Sequence, residues 1–165
     1  PLDLGELAEE LVDHYRPQLE AGGREIRYEK RDVGEKAPLV MADRDAISQV
    51  ILNLLSNADK YGGDGDAIEV ELRDGAGPGG TMELCVLDRG PGVSRKHRER
   101  IFQKFYRIDD SLSSGVQGSG LGLALARQMA RAHGGDVTIH ERAGGGSCFT
   151  LVLPRVDREQ TGSIS

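Results

Sequence analysis

The 165-residue chain is expected to fold as one α+β domain, a two-layer sandwich in which helices pack on one side of a mixed β-sheet. Helical and alternating apolar spacing occupy different segments of the chain. The alternating segments pair around glycine-rich turns, as hairpins do, and helices do not alternate with strands one for one as a βαβ repeat requires.

Each element follows from local pattern. Leu4, Leu7, Leu11 and Tyr15 keep helical spacing between Leu2 and Leu19, and Gly22-Gly23 closes that helix. EIRYEK (25–30) reads as a strand. Beyond the apolar run from Leu39 to Ala42, Asp43 or Asp45 caps a long helix that ends at Tyr61, before Gly62-Gly63. Ala67 to Arg73 and Met82 to Leu87 form a hairpin around the slack turn GAGPGG. Ser94 to Phe105 reads as a short charged helix, and Asp109 to Gly118, rich in Ser and Gly, as a mobile loop. GSGLGLALARQMARAHGG (118–135) opens another helix. Strands from Asp136 to Glu141 and Ser147 to Leu153 flank Gly144 to Gly146, and the polar tail from Arg155 is expected to be disordered.

A net charge of −6 and a pI near 5.2 argue against a nucleic-acid or anionic-membrane surface. Cys85 and Cys148 lie in apolar runs far apart in sequence and form no C-x-x-C, so free buried thiols in a reducing compartment are expected rather than a disulfide or zinc site. There is no export signal and no apolar run near membrane-spanning length. The first residue is Pro1, without a methionine, and the chain reads as a segment of a longer protein.

Chemistry concentrates in three stretches. On the long helix, Ile47, Val50, Ile51, Leu54, Leu55 and Ala58 form an apolar stripe, beside which Asn53, Asn57, Lys60 and Tyr61 fall at i, i+4, i+7 and i+8. Each could be ordinary helix surface. Two asparagines one turn apart are locally unfavourable, however, and an amide oxygen suits a hard cation such as Mg2+ that shares phosphate oxygens. In LDRGPGV (87–93), Asp88 stands where a strand meets a Gly-Pro-Gly turn, able to accept a hydrogen bond from an exocyclic amine, with Gly90 and Gly92 letting the backbone approach a ring. Gly118, Gly120 and Gly122 lead into a helix N-terminus, where free N–H groups and the helix dipole favour phosphate. The dinucleotide fingerprint fails at Leu123 and the P-loop at Leu121, so a different phosphate cradle is required.

In order along the chain, NLLSNADKY, DRGPGV, IFQKFYR, GSGLGLALARQMARAHGG and GGGSCFTLVLP resemble the N, G1, F, G2 and G3 boxes of the catalytic ATP-binding domain of sensor histidine kinases, within the superfamily of gyrase, heat-shock chaperone and mismatch-repair ATPases. The resemblance implies a Bergerat-type ATP-binding fold with ATP and Mg2+ as cofactors. It implies Asn57 as the metal-binding asparagine, with Asn53 a second contact to metal or phosphate. Lys60 would face the phosphates, Tyr61 the adenine or ribose, and Asp88 the adenine amine. Phe102 and Phe105 match the F-box aromatics, although core packing explains aromatics equally well. Gly118, Ser119, Gly120, Leu121 and Gly122 would bring backbone N–H groups to the triphosphate.

By the same resemblance, residues 1–22 lead in from a dimerisation domain, 23–154 form the catalytic domain with an ATP lid at about 107–120, and 155–165 are a tail. The parent protein would be a homodimer, cytoplasmic in this portion. Its catalytic domain would pass the γ-phosphoryl group of ATP to a histidine on the dimerisation domain, for onward transfer to a response-regulator receiver aspartate. The acceptor is expected upstream: His14, His97 and His140 lie in no acceptor context, and His133, before Gly134-Gly135, reads as a structural helix-end residue. An ATP hydrolase or ATP-driven clamp of the superfamily, and a nucleotide-sensing module without transfer, are the alternatives. Asn53 separates the first of these, because hydrolytic relatives carry a glutamate there and an amide cannot act as general base.

Overall fold

A computed structural model describes residues 1–62, 67–104, 106 and 122–157 of the chain. The elements are β1 (Leu2–Asp3), α1 (Leu4–Ala21), β2 (Ile26–Lys30), β3 (Leu39–Val40), α2 (Arg44–Tyr61), β4 (Ile68–Gly75), β5 (Thr81–Leu87), one 3-10 turn (Arg100–Phe102), α3 (Gly122–Ala132), β6 (Asp136–Glu141) and β7 (Ser147–Pro154). Among them no helix is long and apolar enough to cross a membrane.

Five strands form one mixed sheet in the order β2-β4-β5-β7-β6, and β1 pairs separately with β3. Only β2 and β4 run parallel, because the chain between them crosses over through α2. Alternation sorts the sheet into two faces. Val70, Leu72, Leu84, Val86, Phe149 and Leu151 point into the core, with Leu84 opposite Leu151 and Val86 opposite Phe149. The helices close that core with Leu4, Leu7, Ala8 and Val12 of α1, the α2 stripe, and Ala126 and Ala130 of α3. The expected two-layer α+β sandwich is the architecture observed.

Asp43, not Asp45, caps α2, its Oδ1 accepting the Ala46 N–H at 3.1 Å. The stripe Ile47, Val50, Ile51, Leu54 and Leu55 is fully buried. A buried Leu or Ile contributes about 1.5–3 kcal/mol, while an asparagine in a helix costs roughly 0.7 kcal/mol relative to alanine. The stripe therefore holds α2 in place and leaves Asn53 and Asn57 free for other work.

Two expectations are corrected. Of the stretch Ser94 to Phe105, the described residues 94–104 contain turns and a 3-10 turn, not an α-helix. Ile101 and Phe102 are both buried, but the positions one turn earlier are His97, Arg98 and Glu99, so no apolar stripe exists to seat a helix. The tail is ordered at its start: the Arg155 guanidinium reaches Asp74 Oδ1 at 2.6 Å and the Lys36 carbonyl at 2.8 Å, and the Val156 N–H donates to the Leu39 carbonyl at 2.9 Å. One planar donor fork meeting a carboxylate and a carbonyl orders a segment whose composition reads as a tail. The β1–β3 pairing was not foreseen, since strands of two residues are too short to show alternation.

Candidate functional site

Three chain segments meet at the end of the sheet: the last turn of α2, the exit of β5, and the turn between β6 and β7. The Gly62 N–H closes α2 on the Ala58 carbonyl at 2.8 Å. Asp88, the first residue past β5, is only 4% exposed. Its backbone N–H donates to the Ser147 carbonyl at 3.0 Å, and its Oδ1 accepts from the N–H of Gly90 at 2.9 Å and of Ser147 at 3.3 Å. No described residue donates to Oδ2. Burial raises the Asp88 carboxyl above its ordinary pKa, against the two backbone donors and the positive charges of Arg142 and Arg24. One oxygen of this carboxylate is committed to the fold, and the other can accept from a ligand.

Glycines make the junction possible. A Cβ on Gly90 would lie 2.6 Å from the Tyr61 carbonyl oxygen and 2.7 Å from the Gly62 carbonyl carbon. Gly90 therefore serves the approach of the turn to the end of α2. Gly146 is tighter: with φ of +102°, its Cβ would fall 2.0 Å from the Asp88 carbonyl oxygen. Sequence reading missed Gly146 and Ser147 as parts of the site, although the run GGGS before an apolar strand was their signal. Arg24, which donates to the carbonyls of Ala58 and Asp59 at 3.1 and 3.0 Å, carried no signal at all.

The second wall is the polar rim of α2. Asn53 Nδ2 donates to the Gly122 carbonyl at 3.1 Å and Asn53 Oδ1 accepts from Gln49 Nε2 at 3.0 Å, tying α2 to the first residue of α3. Asn57 is half-buried and makes no side-chain hydrogen bond to a described residue. Lys60 and Tyr61 are exposed, Tyr61 by 45%. Among the described residues no group of three or more His, Cys, Asp or Glu side chains could hold a metal ion. The donor set of this rim, an amide without a side-chain partner among the described residues beside an ammonium, fits a hard cation that brings water and phosphate oxygens of its own.

Phe102 lies in the core at 8% exposure, with the Arg127 guanidinium 4.2 Å above its ring. Arg127 also bonds Glu99 at 2.9 Å and Asp136 at 3.0 Å, so it staples the 3-10 turn to α3 and β6. Despite partial burial, Arg127 and Arg131 hold the Asp136 carboxyl below its usual range. His133 is structural, as expected: its Nδ1 pairs with the Met129 carbonyl at 2.7 Å and its Nε2 accepts the Asp43 N–H at 3.3 Å. Phe105, Gly118, Ser119, Gly120, Leu121 and the expected lid at 107–120 lie outside the described residues, save Tyr106 beside them.

Comparison with known proteins gives one consistent likeness. The family described as histidine kinase-, DNA gyrase B-, and HSP90-like ATPase matches residues 42–157. The adaptive-response sensory kinase SasA of Thermosynechococcus vestitus (strain NIES-2133 / IAM M-273 / BP-1) is 36% identical over 153 residues, which are 93% of this chain and 38% of SasA. Full-length ShkA, solved in complex with AMPPNP, aligns at 31% identity with a TM-score of 0.75, over 94% of this chain and 31% of ShkA. The nucleotide-free catalytic domain of the histidine kinase ThkA aligns at 26% identity with a TM-score of 0.77, over 93% of both chains. The chain thus spans less than half the length of SasA and ShkA, and nearly all of the isolated ThkA domain.

Proposed function

The chain belongs to the histidine kinase-, DNA gyrase B- and HSP90-like ATPase family, as an ATP-binding catalytic domain of the sensor histidine kinase type, and from that premise we propose that it binds Mg-ATP between Asp88 and the α2 rim. It then donates the γ-phosphoryl group to a histidine on a separate dimerisation domain of the same kinase, for onward transfer to a response-regulator aspartate. The observation that best supports this reading is Asp88: a buried carboxylate with Oδ1 filled by two backbone N–H groups, and with no donor to Oδ2 among the described residues, is suited to accept the adenine amine.

The remaining roles follow from chemistry. Tyr61 offers a flat apolar face to adenine or ribose, and the Lys60 ammonium offsets phosphate charge. Asn57 would hold Mg2+ through its amide oxygen, and Asn53 would join it only by giving up Gln49. Charge neutralisation on the phosphate oxygens is what the metal would supply when bound. Backbone N–H groups from Gly118 to Gly122 receive the phosphates. Positioning and charge stabilisation supply the catalysis, with the acceptor brought by the dimerisation domain.

Hydrolysis is disfavoured at Asn53. A neutral amide takes no proton from water, and here both its polar atoms already have protein partners. The test is to mix the chain with the dimerisation domain of its own protein and γ-labelled Mg-ATP. Label on histidine with little free phosphate is the expected result. ATP binding without label would favour a nucleotide-sensing module, and brisk phosphate release from the chain alone a hydrolase.

A further inference from the structure

The sheet face turned away from the helices carries a feature that nucleotide binding does not use. Cys85 on β5 and Cys148 on β7 are both free thiols, 0% and 8% exposed, on the sheet face opposite the core-facing residues Leu84, Val86, Phe149 and Leu151. In the β5–β7 register Cys85 stands opposite Thr150 and Leu87 opposite Cys148, which makes the cysteines diagonal neighbours. The Thr150 hydroxyl lies between them, 3.5 Å from Cys85 Sγ and 3.6 Å from Cys148 Sγ. Around them the same face holds the ion pairs Arg73–Glu83 at 2.8 Å, Arg142–Glu69 at 2.7 Å and Arg31–Glu71 at 3.7 Å. Sequence reading saw two unrelated thiols; the fold makes them a pair.

We propose that Cys85 and Cys148 form a reversible disulfide when the protein meets a peroxide, and that this link between β5 and β7 loosens the Asp88 end of the nucleotide site. Cys148 reacts first, being the one with access to solvent. The neighbouring Cys85 thiol lowers the Cys148 pKa against burial, helped by Thr150 and by the charge of Arg73 and opposed by Glu71. The neighbouring Cys148, with burial, raises the Cys85 thiol.

The chemistry balances in two steps. The Cys148 thiolate attacks one peroxide oxygen, the O–O bond breaks, and hydroxide leaves to take up a proton as water while Cys148 becomes a sulfenic acid. The Cys85 sulfur then attacks the Cys148 sulfur. An S–S bond forms, the S–O bond breaks, and the departing hydroxide carries off the Cys85 proton as a second water. The two sulfurs together lose two electrons and the peroxide gains them.

Geometry also predicts reversibility. Diagonal strand neighbours sit roughly 7–8 Å apart, beyond the usual Cα separation of a relaxed disulfide. The strands must be drawn together, and a strained disulfide is readily reduced. The strain falls on the site: Cys148 adjoins Ser147, whose N–H and carbonyl both bond Asp88, and Leu87, its register partner, precedes Asp88.

The test treats the whole chain with hydrogen peroxide, alkylates it under denaturing conditions with N-ethylmaleimide, and reads intact mass and peptides. The expected product has lost two hydrogens, takes up no alkylating reagent, yields a peptide joining Cys85 to Cys148, and reverts with dithiothreitol. In Cys85→Ser, dimedone should trap a sulfenic acid on Cys148. Two alkylatable thiols after peroxide, a sulfonic acid as the main product, or a link between two chains would overturn the proposal. Mg-ATP affinity of the disulfide form should fall roughly ten-fold or more, as for a displaced positioning group, and an unchanged affinity would remove the coupling to the site. The mass readout stands whether or not the chain binds nucleotide, so failure of the functional reading is seen separately.

Discussion

At the Asp88 end of the site nearly every contact is made by main chain: N–H groups of Gly90 and Ser147 hold the carboxylate, and Gly90 and Gly146 admit backbones too close for any side chain. Along the α2 rim the opposite holds. Asn57, Lys60 and Tyr61 reach outward from a helix whose stability comes from its other face. On the proposed function, the first region is organised before a ligand arrives, whereas the second would take its final geometry from what it binds. Side chains added at the glycines of the first should disturb fold and binding together, whereas changes to Asp88 itself or to the second should disturb binding alone.

The comparison is strained hardest at Gly146. Alanine there must tolerate φ of +102° and a Cβ 2.0 Å from the Asp88 carbonyl oxygen. A loss of roughly 2–5 kcal/mol, from backbone strain and overpacking, is expected in chemical denaturation, with loss of ATP binding. A wild-type midpoint would mean that the junction is far softer than its contacts.

Asp88→Asn comes next and separates ligand recognition from folding. The amide keeps an oxygen for Gly90 and Ser147 but can turn a donor toward the adenine amine. ATP affinity should fall roughly ten- to a hundred-fold, the worth of one hydrogen bond to a charged group. Stability should not fall at neutral pH. Because the folded pKa of Asp88 is raised, its contribution is complete below the unfolded carboxyl pKa and is lost as pH rises through the folded value, so removing the charge relieves that loss. A destabilised variant would contradict this sign.

Asn57→Asp belongs to the rim. A carboxylate beside polyphosphate should shift the Mg2+ dependence of ATP binding and abolish transfer, with an unfolding midpoint like wild type. Unaltered Mg2+ dependence would remove Asn57 from the site. The smallest effect is expected at Asp136, remote from both regions. Its carboxyl is depressed by Arg127 and Arg131, so its contribution is present above the unfolded pKa and is lost as pH falls through the folded value. Asp136→Asn should cost at most about 1 kcal/mol at pH 7 after solvent screening, with no gain in acid sensitivity and no change in ATP affinity. Weaker ATP binding would show that the Arg127 staple extends its influence to the site.

The two regions also differed in how plainly they could be read. The rim was legible because helical periodicity alone places Asn53, Asn57, Lys60 and Tyr61 side by side, and Asp43 and Gly62 bound the helix. The main strands were legible through alternation. The junction was not, since Gly146 and Ser147 reach Asp88 only through the β5–β7 register, a pairing between residues far apart in sequence. Gly90 shows the cost: its need for close approach was clear, but the partner turned out to be the end of α2. The order of residues 155–157 was hidden likewise, because it rests on Arg155 meeting Asp74 across the fold. Ser94 to Phe105 misled because charge density resembles a helix surface where no buried stripe accompanies it.

On the proposed function this domain binds Mg-ATP at a preformed Asp88 end and does not turn it over alone. Calorimetric titration of Mg-ATP into the chain, with free phosphate followed in the same samples, tests it most directly. Saturable binding with negligible phosphate release is the predicted result. No binding by a folded chain, or steady release of phosphate, would contradict it.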